Sequence, residues 1–295
     1  MEKGKFNLDI VNKTVEFESL LNKILPKKTF YKLLLRGRGL EFDSYRTIGP
    51  DEDASLIDWK ASVRSNNLLT RQYIEERNMN VLFVIDVGEN MIFGSQEKLK
   101  CEYSAELVSA LAHLIIGSGD QVGFVLFNND IININLPKSG KNQFDILVYD
   151  ISDTNVYGGI SDIGAVLDKL FSRLSPSISM IILVSDFINM DESYKRSFER
   201  LGNVFETIAI MIRDPLDKTM PNINKEVLIE NYGGEKLLIN PSLVKKTYEN
   251  LVEKQTELVR NIFKSSNIDL LELDTGNSFT VDLANFLKRR VDLKN

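Results

Sequence analysis

Two stretches of the chain are apolar at nearly every position rather than at every second or third. Val81–Ile85 runs straight into Asp86, and the segment Ser179–Asp186 (SMIILVSD) likewise ends in an acid. A strand buried on both faces of a parallel sheet carries that signature, because neither face is left to water. Between and after these runs the pattern alternates with helical spacing. Lys98–Ile116 places Tyr103, Leu107, Leu111 and Leu114 on one stripe, and Gln143–Ile151, Asp162–Leu174, Tyr194–Leu201, Ser242–Phe263 and Val281–Arg290 read as further helices. Gln121–Phe127 and Ile131–Leu136 flank the polar turn Asn128–Asp130 and predict a hairpin. Phe205–Ile212 and Ile268–Leu273 supply two more strands, and Glu226–Glu230 with Lys236–Ile239 forms a second hairpin around Gly233–Gly234. Strands alternating with helices predict an α/β fold: a doubly wound, mostly parallel sheet.

The first 78 residues differ. Residues 1–35 have helical spacing at Leu20, Leu21, Ile24 and Leu25, whereas residues 36–78 are dense in charge, short of long apolar runs and interrupted by the turn GPDED. The expected organisation is therefore a small N-terminal α+β module over residues 1–78. A sheet domain follows over residues 79–295, with a β-hairpin insertion at about 214–241.

Composition narrows the function classes. The 295 residues are 43% hydrophobic and 26% charged, which is ordinary for a globular chain able to bury a large core. A net charge of −6 argues against a general nucleic-acid or anionic-membrane binder, whose footprint is basic. One cysteine, Cys101, permits no internal disulfide, and one histidine, His113, leaves no His/Cys zinc cluster. His113 lies among Leu111, Leu114 and Ile115 and reads as a packed side chain. The opening MEKGKFNLDIVNK has no apolar core of a secretory signal, and no apolar run reaches the ~20 residues of a spanning helix. The expected location is the cytoplasm.

Nucleotide-binding glycine motifs, zinc-protease and kinase signatures are all missing from the chain. Chemistry concentrates instead at the carboxyl ends of the buried strands, where open α/β sheets place their sites. Asp86 ends the first, with Gly88 and Asn90 in the loop after it; Ser161 and Asp162 follow Gly158–Gly159; Asp186 ends the SMIILVSD strand. Oxygen ligands of this kind suit a hard divalent cation such as Mg²⁺. Each acid alternatively serves only to cap the turn or helix that follows it.

The segments VLFVIDVGENM, GGISDIGAVL and ILVSDF resemble the three metal-site segments of the von Willebrand factor A domain. The resemblance implies a metal-ion-dependent adhesion site, in which a bound Mg²⁺ accepts an acidic residue of a partner. Asp86 and Asp186 match its two acids and Ser161 stands near its threonine, while Gly88 and Asn90 replace its two serines. Upstream, GRGLEFDSYRTIGPDEDASLIDWKASVRSNNLLTRQYIEE resembles the hallmark of domain of unknown function family 58. Gly37, Gly39, Glu41, Phe42, Arg46, Asp58, Trp59, Lys60, Ala61, Arg64 and Glu75 fit that pattern, and Ile48 and Pro50–Asp51 depart from it. The resemblance spans about residues 30–290. It implies a non-enzymatic adaptor or assembly factor that works with a MoxR-type AAA+ ATPase and binds no nucleotide itself. Metal ligands would be Asp86, Asn90, Ser161 and Asp186.

Within the hallmark, Trp59 is the only tryptophan and sits between Asp58 and Lys60, so a buried ring with a paired rim is the plain expectation. Trp59 and Arg64 are alternatively partner-binding residues, since both types anchor interfaces. Two other readings stand beside the adaptor: a metal-free scaffold, favoured by Gly88, and a Mg²⁺-dependent nuclease using Asp51, Asp58 and Lys60, whose order fits P-D…[DE]-x-K.

Overall fold

The structure, a computed structural model, describes residues 6–24, 41–49, 53, 55, 57–65, 67–74, 79–230 and 236–292. Both apolar runs are central strands of a six-stranded sheet. In chain order its strands are β3 (Asn80–Asp86), β4 (Gln121–Phe127), β5 (Ile131–Lys138), β6 (Met180–Ser185), β7 (Glu206–Arg213) and β10 (Asp269–Asp274). They lie side by side as β10-β7-β6-β3-β4-β5. All neighbours are parallel except β5, which turns back on β4 as the hairpin expected across Asn128–Asp130. This is the mixed α/β, doubly wound architecture that the alternation of elements predicts.

Pleating divides the strand side chains between two cores. Val81, Phe83 and Ile85 of β3 face a layer built by α1 (Ile10–Ile24), α3 (Lys100–Gly117), α4 (Lys141–Ser152) and α9 (Phe279–Asp292). Leu82 and Val84 face α5 (Ile163–Phe171), α6 (Lys195–Val204) and α8 (Pro241–Ser265) on the other side. With both faces covered, the buried stretch of β3 from Val81 to Ile85 is wholly apolar, and the strand turns polar again only at Asp86.

Helix α3 is buried almost all round because α1 covers its outer flank. Phe17 and Leu21 of α1 reach into the core, and Phe17 meets the edge of Phe279 at 6.3 Å. Two carboxylates of α3 hold the segment that leads into α1: Glu102 accepts from Asn7 N at 2.5 Å and Glu106 from Asp9 N at 2.6 Å. The packing of α1 therefore runs across the boundary expected at residue 78. His113 is a correction: it lies exposed on α3, with its ring edge 5.6 Å from Phe144, because its position falls off the helix's core stripe.

The hallmark segment folds locally into β1 (Glu41–Thr47), α2 (Trp59–Ser65) and β2 (Leu69–Ile74), with β1 and β2 antiparallel. Asp58 caps α2 by accepting from Lys60 N and Ala61 N, both at 3.1 Å. Ser62 is the inward residue of α2; its hydroxyl donates to Asp58 O at 2.8 Å and accepts from Leu69 N at 2.9 Å. That orientation turns Trp59 and Val63 outward, 63% and 81% exposed, so the expected buried tryptophan ring is corrected. Gly37, Gly39, Pro50, Asp51 and Glu75 lie outside the described residues. The second expected hairpin is present as β8 (Val227–Glu230) with β9 (Lys236–Ile239), after the short α7 (Pro215–Lys218).

Candidate cation and docking site at the sheet rim

Strand order reverses at β3, since β4 leaves on one side and β6 arrives on the other. The crevice between the carboxyl ends of β3 and β6 is thus the topological switch point, where an open sheet leaves room for a ligand. Asp86 stands at one lip and Ser185–Asp186 at the other. One pocket is lined by Asp86, Asn90, Ser161, Ser185 and Asp186, together with Ile163 and residues 187–190 and Tyr194. All four residues expected as metal ligands therefore meet there.

The loops are strapped together by their backbones. Gly158 N donates to Val87 O and Glu89 N to Gly159 O, both at 2.8 Å. Gly158 and Gly159 adopt positive φ (141° and 75°), which a side chain would resist, and this turn aims Ser161 at Asp86. Asp162 does not enter the pocket: it caps α5 by accepting from Ala165 N at 3.0 Å. The cap alternative therefore holds for Asp162, while Asp86 and Asp186 face the crevice.

Asp86 is 1% exposed. Its carboxylate accepts from the Ser161 hydroxyl, from Gly88 N at 2.8 Å and from the Ser185 hydroxyl at 2.6 Å. All three donors are neutral, and among the described residues no cation pairs with it. Burial, and then the nearby Asp186 charge, push its carboxyl up to about 6 against those hydrogen bonds.

Gly88 explains how the site manages without the serine that the resemblance places there. Its φ of −64° and ψ of 165° are open to any residue. A Cβ at this position, however, would stand 1.9 Å from Ser161 Oγ. The Ser161 hydroxyl thus fills the space that a side chain at position 88 would take, and both bear on the same carboxylate.

Asp186 is 2% exposed and has a different set of partners. Ile188 N donates to Oδ1 at 3.0 Å, and the Lys100 ammonium donates to Oδ2 at 2.8 Å. Lys100 is itself fully buried and also bonds Asp217 Oδ2 at 2.9 Å. Phe187, the next residue, sits at φ 50°, a strained conformation for a bulky side chain. Gln255 of α8 holds that loop by donating to Phe187 O and Ile188 O at 2.9 and 3.0 Å.

The donor set fits a small hard cation. Two buried carboxylates, two hydroxyls and the Asn90 amide line one pocket, and of these only the oxygens can serve a cation; Asn90 Nδ2 is a buried donor with no hydrogen-bond partner and calls for an acceptor instead. Among the described residues no three His, Cys, Asp or Glu side chains form a metal cluster, so Ser161, Ser185 and Asn90 must complete any such shell. Ser185, Lys100 and Gln255 escaped the sequence reading. Lys100 did leave a signal: it occupies the first position of α3, where the helix dipole disfavours a cation unless a fixed anion faces it.

The other expected site residues lie elsewhere. Trp59 and Arg64 are exposed on α2, and Asp58 is engaged as that helix's cap, while Asp51 lies outside the described residues. No described helix is long and apolar enough to cross a membrane.

Comparison with known proteins places these observations in a family. The family profile described as "Protein of unknown function DUF58" matches residues 44–258. Uncharacterized protein Rv1480 of Mycobacterium tuberculosis and Uncharacterized protein Mb1516 of Mycobacterium bovis are each 23% identical over 261 residues, covering 87% of this chain and 81% of theirs. Among solved structures, the conserved hypothetical protein BatB from Bacteroides thetaiotaomicron is similar at a TM-score of 0.47 and 13% identity, covering 73% of this chain and 100% of that one. A von Willebrand factor type A protein from Catenulispora acidiphila is similar at a TM-score of 0.43 and 12% identity, covering 76% and 43%.

Proposed function

Because the chain belongs to the DUF58 family, we propose that it is a non-enzymatic adaptor that docks a partner protein on the rim of its sheet. The partner in this reading is a MoxR-type AAA+ ATPase, and the work is assembly or maturation of a protein complex in the cytoplasm. One observation carries it: Asp86, Asn90, Ser161, Ser185 and Asp186 converge at the switch point around one pocket. The surroundings suit a protein ligand. Ile92, two residues after the pocket-lining Asn90, and Ile160, next to the pocket-lining Ser161, are 43% and 62% exposed. A charged anchor within an apolar lip is the arrangement that desolvates and so strengthens a polar contact.

Asp86, Asp186 and Ser161 would hold Mg²⁺, with Asn90 alongside. The ion would supply an electrophilic position for an acidic side chain of the partner. Ser185 would keep the Asp86 carboxylate oriented, and the Gln255 contacts would keep the strained turn after Asp186 in place. Trp59 and Val63, exposed on α2, give a second apolar contact area, with Arg64 on the same helix.

A specific observation favours a second version. Lys100 already supplies a cation to Asp186, which suits a metal-free scaffold that docks the partner through the rim alone. Affinity capture of the tagged chain from native lysate, once with Mg²⁺ and once with EDTA, separates the two. A MoxR-type ATPase recovered only with Mg²⁺ supports the cation-dependent adaptor. The same ATPase in both supports the scaffold, and its absence from both overturns the adaptor reading.

A further inference from the structure

One charge reaches the rim from inside the fold rather than from the crevice. Lys100 leaves the first turn of α3, passes the ring of Phe93 at 5.6 Å, and ends between two carboxylates, Asp186 Oδ2 at 2.8 Å and Asp217 Oδ2 at 2.9 Å. The lysine is 0% exposed, so neither water nor dissolved salt screens its charge. Asp217 is fixed in turn, because it accepts from Asp214 N at 2.9 Å within the cap of α7. The ammonium is therefore tethered on its far side and aimed at the rim acid on its near side.

We infer that Lys100 is the residue that sets the divalent-cation affinity of the rim pocket, by pairing its ammonium with Asp186 from inside the fold. This rests on the rim reading above. A divalent cation in the pocket and the Lys100 ammonium draw on the same Asp186 carboxylate, and each lowers the affinity of that carboxylate for the other. The two acids are not equivalent in consequence. Asp86, met only by neutral donors, is the one whose charge is left to a diffusible cation, while that of Asp186 is met from inside the fold. A unit charge removed from hydrogen-bonding distance of a ligand carboxylate in a buried site changes a cation's binding constant by at least about tenfold, even with strong effective screening.

The test titrates the full chain with Mn²⁺ alone, reading free Mn²⁺ by electron paramagnetic resonance, with Mg²⁺ as competitor. Lys100→Met removes the charge while keeping the apolar stem. If two unpaired acids keep that variant from folding, Lys100→Met with Asp217→Asn removes one of them and leaves Asp186 free. Folding of each is checked by its thermal melt. The expected result is a dissociation constant at least about tenfold lower than wild type, with the gain lost on adding Asp86→Asn. Equal dissociation constants for wild type and the folded Lys100 variants overturn the role of Lys100 and leave the rim reading standing. Absence of Mn²⁺ binding in every protein overturns both.

Discussion

Gly88→Ala is the sharpest probe of how the rim is built, because the two local effects of the substitution have opposite signs. The backbone at residue 88 is extended, with φ −64° and ψ 165°, so alanine meets no conformational penalty there. On that ground alone, replacing glycine stabilises by about 0.4–1 kcal/mol, since the unfolded chain loses freedom. Against it stands the contact of the new Cβ with Ser161 Oγ at 1.9 Å, and with Ser161 Cβ and Asp86 Oδ1 at 3.1 Å. Ser161 must rotate away, which breaks its hydrogen bond to Asp86. A hydrogen bond to a charged group contributes about 1.5–3 kcal/mol. Asp86 Oδ1 keeps its bond from Gly88 N at 2.8 Å, so the loss is not compounded by a bare oxygen. The expected net cost is about 1–2 kcal/mol. Urea unfolding of wild type, Gly88→Ala, Ser161→Ala and the double variant gives the coupling directly, with unchanged m-values confirming that only stability moves. The double variant should be more stable than the sum of the single costs implies, by about 1 kcal/mol or more. A Gly88→Ala protein as stable as wild type, or strictly additive costs, would refute the account of that cradle.

Two further outcomes follow from the same geometry. The Asp86 carboxyl titrates near 6 when folded and at an ordinary value of 3.8 when unfolded, so the folded state holds that proton more tightly. Its contribution is full below the ordinary carboxylate value, is lost as pH rises through the raised folded value, and is flat above. Asp86→Asn should erase that slope in urea melts taken from pH 4.5 to 7.5, and parallel profiles for the two proteins would contradict the assignment. Phe17→Ala, at a fully buried position of α1, should cost about 3–5 kcal/mol by denaturant melt and open α1 to proteolysis; a cost typical of surface sites would show that α1 is not part of the sheet core.

How much of this was legible beforehand depends on how long each pattern ran. Strands β3 and β6 are uninterrupted apolar runs, and Gln121–Phe127 was delimited to the residue because both ends are polar turns. The position of Asp86 and Asp186 followed from the same runs, since a buried strand becomes polar only where it leaves the sheet. The hallmark segment was less readable. Strand β1 and helix α2 are seven residues each, too short for a period to declare itself, and α2 turns the small Ser62 inward rather than its apolar residues. Lone tryptophans are usually buried, and Trp59 broke that expectation for the same reason. The remainder of the site could not be read from spacing. Lys100, Ser185 and Gln255 come to the rim from three elements, and only the crossing of α3 and α8 over the sheet ends brings them there.

Ile160→Asp reads whether the rim crevice is a docking surface. Ile160 is 62% exposed and next in sequence to the pocket-lining Ser161, so the variant is expected to leave the fold intact and change what a partner meets. The measurement is the equilibrium affinity of the purified chain and of Ile160→Asp for the purified MoxR-type ATPase, in Mg²⁺. A docking rim gives a loss of at least about tenfold, the size of one central interface contact, with an unchanged thermal melt. Equal affinity for the two proteins would contradict it.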